Sequence, residues 1–98
     1  MPHYVTLMNW TEQGVKNVAQ SVDRANAARD ALATKGVTLK EIYWTVGAYD
    51  VVSIVEAPDD ATASAALLAL AAQGNLRSTT LRAFTADEFS DVLKRSAG

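Results

Sequence analysis

Two strand-like runs, residues 37 to 46 and 51 to 57, meet at the corner Gly47-Ala48-Tyr49-Asp50, and a helical tract stands on each side of the pair. That order restricts the fold more than any other feature of the chain. A hairpin between two helices, with one more strand beyond each helix, is the plan of a split βαβ unit. Residues 3 to 10 read as the first strand, in which Val5 and Leu7 alternate with Tyr4, Thr6, Met8 and Trp10. The stripe Val15, Val18, Val22, Ala25, Ala28 and Leu32 predicts a helix capped by Thr11, loosened near Gly14 and stopped at Gly36. Pro58 ends the second strand of the hairpin, and Asp59-Asp60 opens a helix through Gln73 that Gly74 stops. "LRSTTLRAF", residues 76 to 84, is a threonine-rich fourth strand. "TADE" then sets Thr85 and Glu88 as a capping box for a last helix over residues 86 to 95. The expected fold is α+β, a ferredoxin-like βαββαβ with an added C-terminal helix, in one domain spanning residues 1–98.

Composition narrows the chemistry. There is no cysteine, so disulfides, thiolate nucleophiles and sulfur-ligated metals are excluded. His3 is the one histidine, which rules out any site that needs two imidazoles, and no metal or cofactor is expected. Asp59-Asp60 is read as a helix start rather than as a metal ligand pair. A formal charge of -2, with Lys and Arg scattered, gives no basic field for a phosphate backbone, so nucleic acid is not an expected partner. "MPHYVTLMNW" lacks the basic-then-apolar order of a signal peptide, and "ATASAALLALAAQG" is too short to span a bilayer. A cytoplasmic protein without membrane contact is the expectation.

Right-handed crossovers place both helices on one face of the sheet. Sorting strand residues by parity gives two sets. Val5, Leu7, Ile42, Trp44, Val46, Val52, Ile54 and Leu81 form the set expected under the helices. Tyr4, Thr6, Met8, Trp10, Tyr43, Thr45, Val51, Ser53, Val55, Thr80, Arg82 and Phe84 form the other. The second set is too apolar for a solvated face, so it should pack on a second copy of the chain or floor a ligand cavity, or both.

"YVTLMNWTEQG", "GAYDVVSIVEAPDD" and "GNLRSTTLRAFTADEF" resemble the GYD-domain family over nearly the whole chain. These are small bacterial and archaeal proteins of the dimeric α/β-barrel, ferredoxin-like superfamily. The name-giving tripeptide stands here as Ala48-Tyr49-Asp50, with Gly47 one residue earlier. A similar corner occurs in the effector domain of leucine-responsive regulators, which binds amino acids between subunits. The superfamily also holds cofactor-free monooxygenases and haem-degrading enzymes, whose catalytic Asn, Trp and His residues have no counterparts at matched positions here. The resemblance implies a dimeric α/β barrel and a homo-oligomer of at least two chains.

The candidate ligand-binding residues are Thr6, Trp10, Tyr43, Tyr49, Asp50, Ser53 and Arg82. At the corner, Gly47 and Asp50 have an ordinary turn role, the carboxylate accepting from backbone N–H groups; alternatively Tyr49 and Asp50 face a small polar ligand. Arg82 lies in an otherwise uncharged strand and needs oxygens, from Glu41 of the same or a partner chain or from an anion. Glu56 is expected on the helix face near the strand end, capping a helix or paired with Arg or Lys. His3 is expected to be solvated or packed at an edge, and Trp44 to lie in the core while Trp10 lines a pocket. These residues suit a homo-oligomeric binder of a small molecule in a cavity at the sheet face or subunit interface. The alternative is a cofactor-independent enzyme, of oxygenase or isomerase type, acting on an apolar or aromatic substrate in the same cavity.

Overall fold

Four strands, His3–Trp10 (β1), Thr38–Trp44 (β2), Val51–Glu56 (β3) and Leu76–Ala83 (β4), form one antiparallel sheet in the order β2-β3-β1-β4. The computed structural model describes all residues, Met1–Gly98. Helices Glu12–Lys16 (α1), Ser21–Thr34 (α2) and Asp60–Ala71 (α3) belong to the two crossovers, and Ala86–Ala97 (α4) follows the last strand. The architecture is α+β and ferredoxin-like.

The single helix expected from Thr11 to Gly36 is two helices joined by a 3₁₀ turn at Val18–Gln20. Asn17 leaves helical geometry, and its side chain donates to the Gln13 carbonyl, 3.0 Å away, which satisfies the end of α1. α1 is pressed onto the loop before β4: a Cβ at position 14 would stand 2.1 Å from the Asn75 carbonyl oxygen, so only glycine fits. The break turns the front of the expected stripe outward, leaving Val15 56% and Val22 58% exposed, and only Leu32 of α2 is buried.

The two faces of the sheet are the reverse of the expectation for β1, β3 and β4, so Thr80 and Arg82, opposite Thr6 and Tyr4, point to the helix side of the sheet. Tyr4, Thr6, Met8, Val51, Ser53 and Val55 lie under α2 and α3, and Tyr4 and Val55 join Leu32, Val37, Leu39, Ala57, Ala63 and Ala66 in the core. Val5, Leu7, Val52 and Ile54 are half-buried on the uncovered face, and Leu81 is exposed there. The polar groups beneath the helices decide the matter. The Tyr4 hydroxyl donates to Asp60 at the start of α3, and the Thr6 and Ser53 hydroxyls bond one another. Each of these buried hydroxyls therefore has a partner, which removes the main cost of covering it. Ala63 and Ala66 of α3 are buried in the same core cluster as Tyr4.

A bulge between Leu39 and Glu41 shifts the β2 register. Ile42 then pairs with Ser53 and Trp44 with Val51, so both stay on the helix side as expected, while Tyr43 opposite Val52 faces the uncovered side. Glu56, expected on the helix side, shares the uncovered face with His3 and Lys40, at 3.0 and 3.7 Å.

The capping box forms as read: Thr85 Oγ1 accepts from the Glu88 N–H, and Glu88 Oε1 from the Thr85 N–H at 2.8 Å. These bonds hold the Glu88 carboxyl below its ordinary range. Phe89 meets Phe84 at 6.4 Å between ring centres, yet no residue of α4 is buried. The helix carries Phe89, Val92 and Leu93, an apolar stripe at helical spacing, and all three are exposed. The molecule is correspondingly long, 52 × 31 × 18 Å, with a radius of gyration of 14.7 Å. A chain of this length packed into a sphere-like domain would have a radius of gyration near ~12.6 Å. No helix is long and apolar enough to cross a membrane.

Candidate functional site

A narrow cleft of about 80 Å³ opens between α2, α3 and the covered face of the sheet. Met8, Val51, Ser53 and Val55 form its floor, and Ala25, Ala28, Leu32, Leu67 and Leu70 its walls. The deep end is closed by buried residues, Leu32, Leu39, Val55 and Leu67. At the other end stand Trp10, Trp44, Ser21, Arg24, Gln73 and Asn75, all partly or largely exposed. An apolar body with a few polar groups gathered at the mouth is the usual build of a small-molecule site.

The crossover geometry accounts for this grouping. β1 and β2 end, and β4 begins, at the end of the sheet where α2 starts and α3 stops, so side chains distant in sequence meet there. The Trp44 indole N–H donates to Ser21 Oγ at 2.8 Å, which ties the end of β2 to the first turn of α2. Arg24 donates to the Asn17 carbonyl at 2.6 Å and takes part in none of the ion pairs.

The corner holds the same end of the sheet. Gly47 adopts a φ of +134°, open to glycine alone at little cost. The Asp50 carboxylate accepts the backbone N–H of Trp10 at 3.0 Å, and the Asp50 N–H donates to the Met8 carbonyl at 2.9 Å. Thr45 donates its N–H to the Asp50 carbonyl at 2.8 Å and its hydroxyl to the Tyr49 carbonyl. Asp50 is thus a brace across strand ends, and it fixes the residue that stands at the cleft mouth.

Of the candidate residues, Trp10 and Ser53 line the cleft, and Thr6 lies beneath it, completely buried on Ser53. Tyr49 and Asp50 stand at the corner beside the mouth without lining it. Tyr43 lies on the opposite face, 56% exposed, donating to Glu41 Oε2 at 3.1 Å, and that carboxylate raises its pKa.

Arg82 is farther still. It pairs across from Tyr4 on β4, at the edge of the sheet opposite β2, so Glu41 cannot reach it within the chain. Its guanidinium instead lies 4.5 Å from the centre of the Phe84 ring and 5.7 Å from that of Tyr4, and donates to the Ala83 carbonyl. The expected carboxylate contact is absent from the chain.

His3 is half-buried rather than solvated. Its Nε2 meets Glu56, while Nδ1, buried and without a hydrogen-bond partner, stands 4.0 Å from Glu88. Trp44, expected in the core, is 40% exposed at the mouth.

Arg24, Ser21, Gln73 and Asn75 escaped the reading of the sequence. The one signal for Arg24 was its place beside Ala25, at the margin of the apolar stripe of α2.

The GYD domain model matches residues 4–93. A Thermus thermophilus protein, named glutamine synthetase and cystathionine beta-lyase binding protein, is 32% identical over 95 residues, covering 96% of this chain and 100% of its own. A crystal structure of a protein from Thermus thermophilus superposes with a TM-score of 0.56 at 25% identity, over 88% of this chain and 96% of that one. With sequence and fold in agreement along almost its full length, the chain belongs to the GYD-domain family.

Proposed function

We propose that this chain is a small-molecule binding protein that works as a homodimer, with the ligand in the cleft between the helices and the sheet. The observation that carries the reading is the cleft itself: apolar along floor and walls, with polar groups gathered at the mouth. The homodimer is supported by the uncovered aliphatic face of the sheet, which the helices of the same chain leave open. Trp10 and Trp44 are the only tryptophans in the chain, and both line the cleft, so indole emission reports its occupancy. Titrating small apolar acids, alcohols and amides should shift that emission and raise the unfolding temperature. Ala28→Phe, which fills the cleft from α2, should abolish both responses without lowering the stability of the free protein. Unchanged emission across the panel would dismiss the reading.

A protein partner is a second reading, prompted by the relative named for binding glutamine synthetase and cystathionine beta-lyase. The observation that favours it is the exposed stripe Phe89, Val92 and Leu93 on α4. Co-sedimentation with purified glutamine synthetase, lost in Phe89→Ser, would support it; no co-sedimentation by the unaltered chain would count against it for that enzyme.

A further inference from the structure

The cleft has one cation. Arg24 stands at its mouth, one turn into α2, and no carboxylate of the chain lies within ion-pair distance of it. Its present partner is a single backbone carbonyl, that of Asn17, so most of its five donors are free of protein acceptors at hydrogen-bond distance. Beside it, Ser21 Oγ accepts from the Trp44 indole, which leaves the Ser21 proton free to donate outward. The N-cap of α2, Gln20, makes no side-chain bond, and Asp23, the acid in the same first turn, is exposed and does not line the cleft. No acidic side chain lines the cleft.

We infer that the ligand of the cleft is a small carboxylic acid with an aromatic or branched apolar body, its carboxylate held by Arg24 and Ser21 at the mouth. This rests on the reading of the cleft as a small-molecule site. The apolar body lies over Met8, Val51 and Val55 between the walls of α2 and α3, and the two indoles at the mouth flank it. The guanidinium suits a carboxylate because its planar fork matches two oxygens at once. A primary amine is disfavoured at the same place, since it would set an ammonium beside Arg24 with no carboxylate to offset it.

The test compares phenylpropionate with phenylpropionamide and phenylpropylamine, which keep the apolar body and change only the head. Binding is followed by the emission of Trp10 and Trp44. The acid should bind about tenfold more tightly than the amide, the usual gain of a charge-assisted pair over a neutral hydrogen bond, with the amine weakest. Arg24→Gln should bring the acid to the level of the amide and leave the amide unchanged. Arg24→Lys, keeping the charge without the fork, should fall between. An amide that binds as well as the acid, or an acid indifferent to Arg24→Gln, would overturn the inference while leaving the small-molecule site standing. Binding of none of the three, together with no effect of Ala28→Phe on any larger apolar probe, would remove the site itself.

Discussion

Replacing Ile54 by aspartate places a carboxylate in the middle of the uncovered sheet face, beside Val5 across the ladder and two residues from Val52 on its own strand. The surface of the molecule is 6174 Å². A compact monomer of this mass would expose about 5,400 Å², so the chain carries an excess of roughly 700 Å². That excess is shared between α4, none of whose residues is buried, and the uncovered sheet face, and is of the order of the ~800 Å² each partner contributes to a standard interface. If two copies meet on this face, Ile54→Asp buries an unpaired charge in each, which costs about 3 kcal/mol or more. The dimer dissociation constant should then rise at least about a hundredfold. Sedimentation velocity from sub-micromolar to high micromolar concentration would measure the change. Val22→Asp, at an exposed position on α2, is the control and should leave the dimer intact. A chain that is monomeric at micromolar concentration before any substitution, or a variant that dimerises as well as its parent, would refute the assignment of this face.

Two further outcomes follow from single side chains. Burial, first, and then donation to Asp60 push the Tyr4 hydroxyl up from 10.0 to about 12. The folded state therefore holds a proton that the unfolded chain gives up, and the associated stability is complete below the unfolded pKa. It is lost as pH rises from about 10 toward 12, at up to about 1.4 kcal/mol per pH unit; urea midpoints through this range should fall less steeply in Tyr4→Phe, and equal slopes would contradict the assignment. Asp50→Ala leaves the Trp10 N–H without its acceptor and should destabilise the chain by about 1–2 kcal/mol, with Asn restoring part of the loss. Faster hydrogen exchange at the Trp10 amide would localise the effect, and unaltered exchange would argue against the brace.

The order of elements was legible because each break carries its own residue: Thr11 and Asp59 cap helices, Pro58 stops a strand, and Thr85 with Glu88 forms its box. The faces were not. β1 is apolar on both sides, and alternation divides residues into two sets without saying which set meets the helices. The tie was broken by contacts distant in sequence, Tyr4 with Asp60 and Thr6 with Ser53. A tyrosine and two hydroxyls look suited to an open face until their partners are known. The same holds for the cleft. Trp10 was visible as a candidate for its wall, but Arg24 joins the site only because α2 starts at Ser21 and turns that residue toward the sheet ends.

The corner after β2 connects these two surfaces physically. Its glycine lets the chain reverse, and its aspartate then holds Trp10 by the backbone. Trp10 ends β1, whose alternate side chains look into the cleft at Met8 and out to the uncovered face at Leu7. β3 repeats the pattern, with Ser53 inward between Val52 and Ile54 outward. One layer of backbone thus separates the candidate ligand site from the candidate dimer face, and the same strands build both. Asp50 sets the position of the strand end through two hydrogen bonds, one to Trp10 and one to Met8. An Asn-Gly turn would close a tight hairpin but would supply no carboxylate to span β1. The Ala48-Tyr49-Asp50 corner is longer because it braces a third strand as well as joining two.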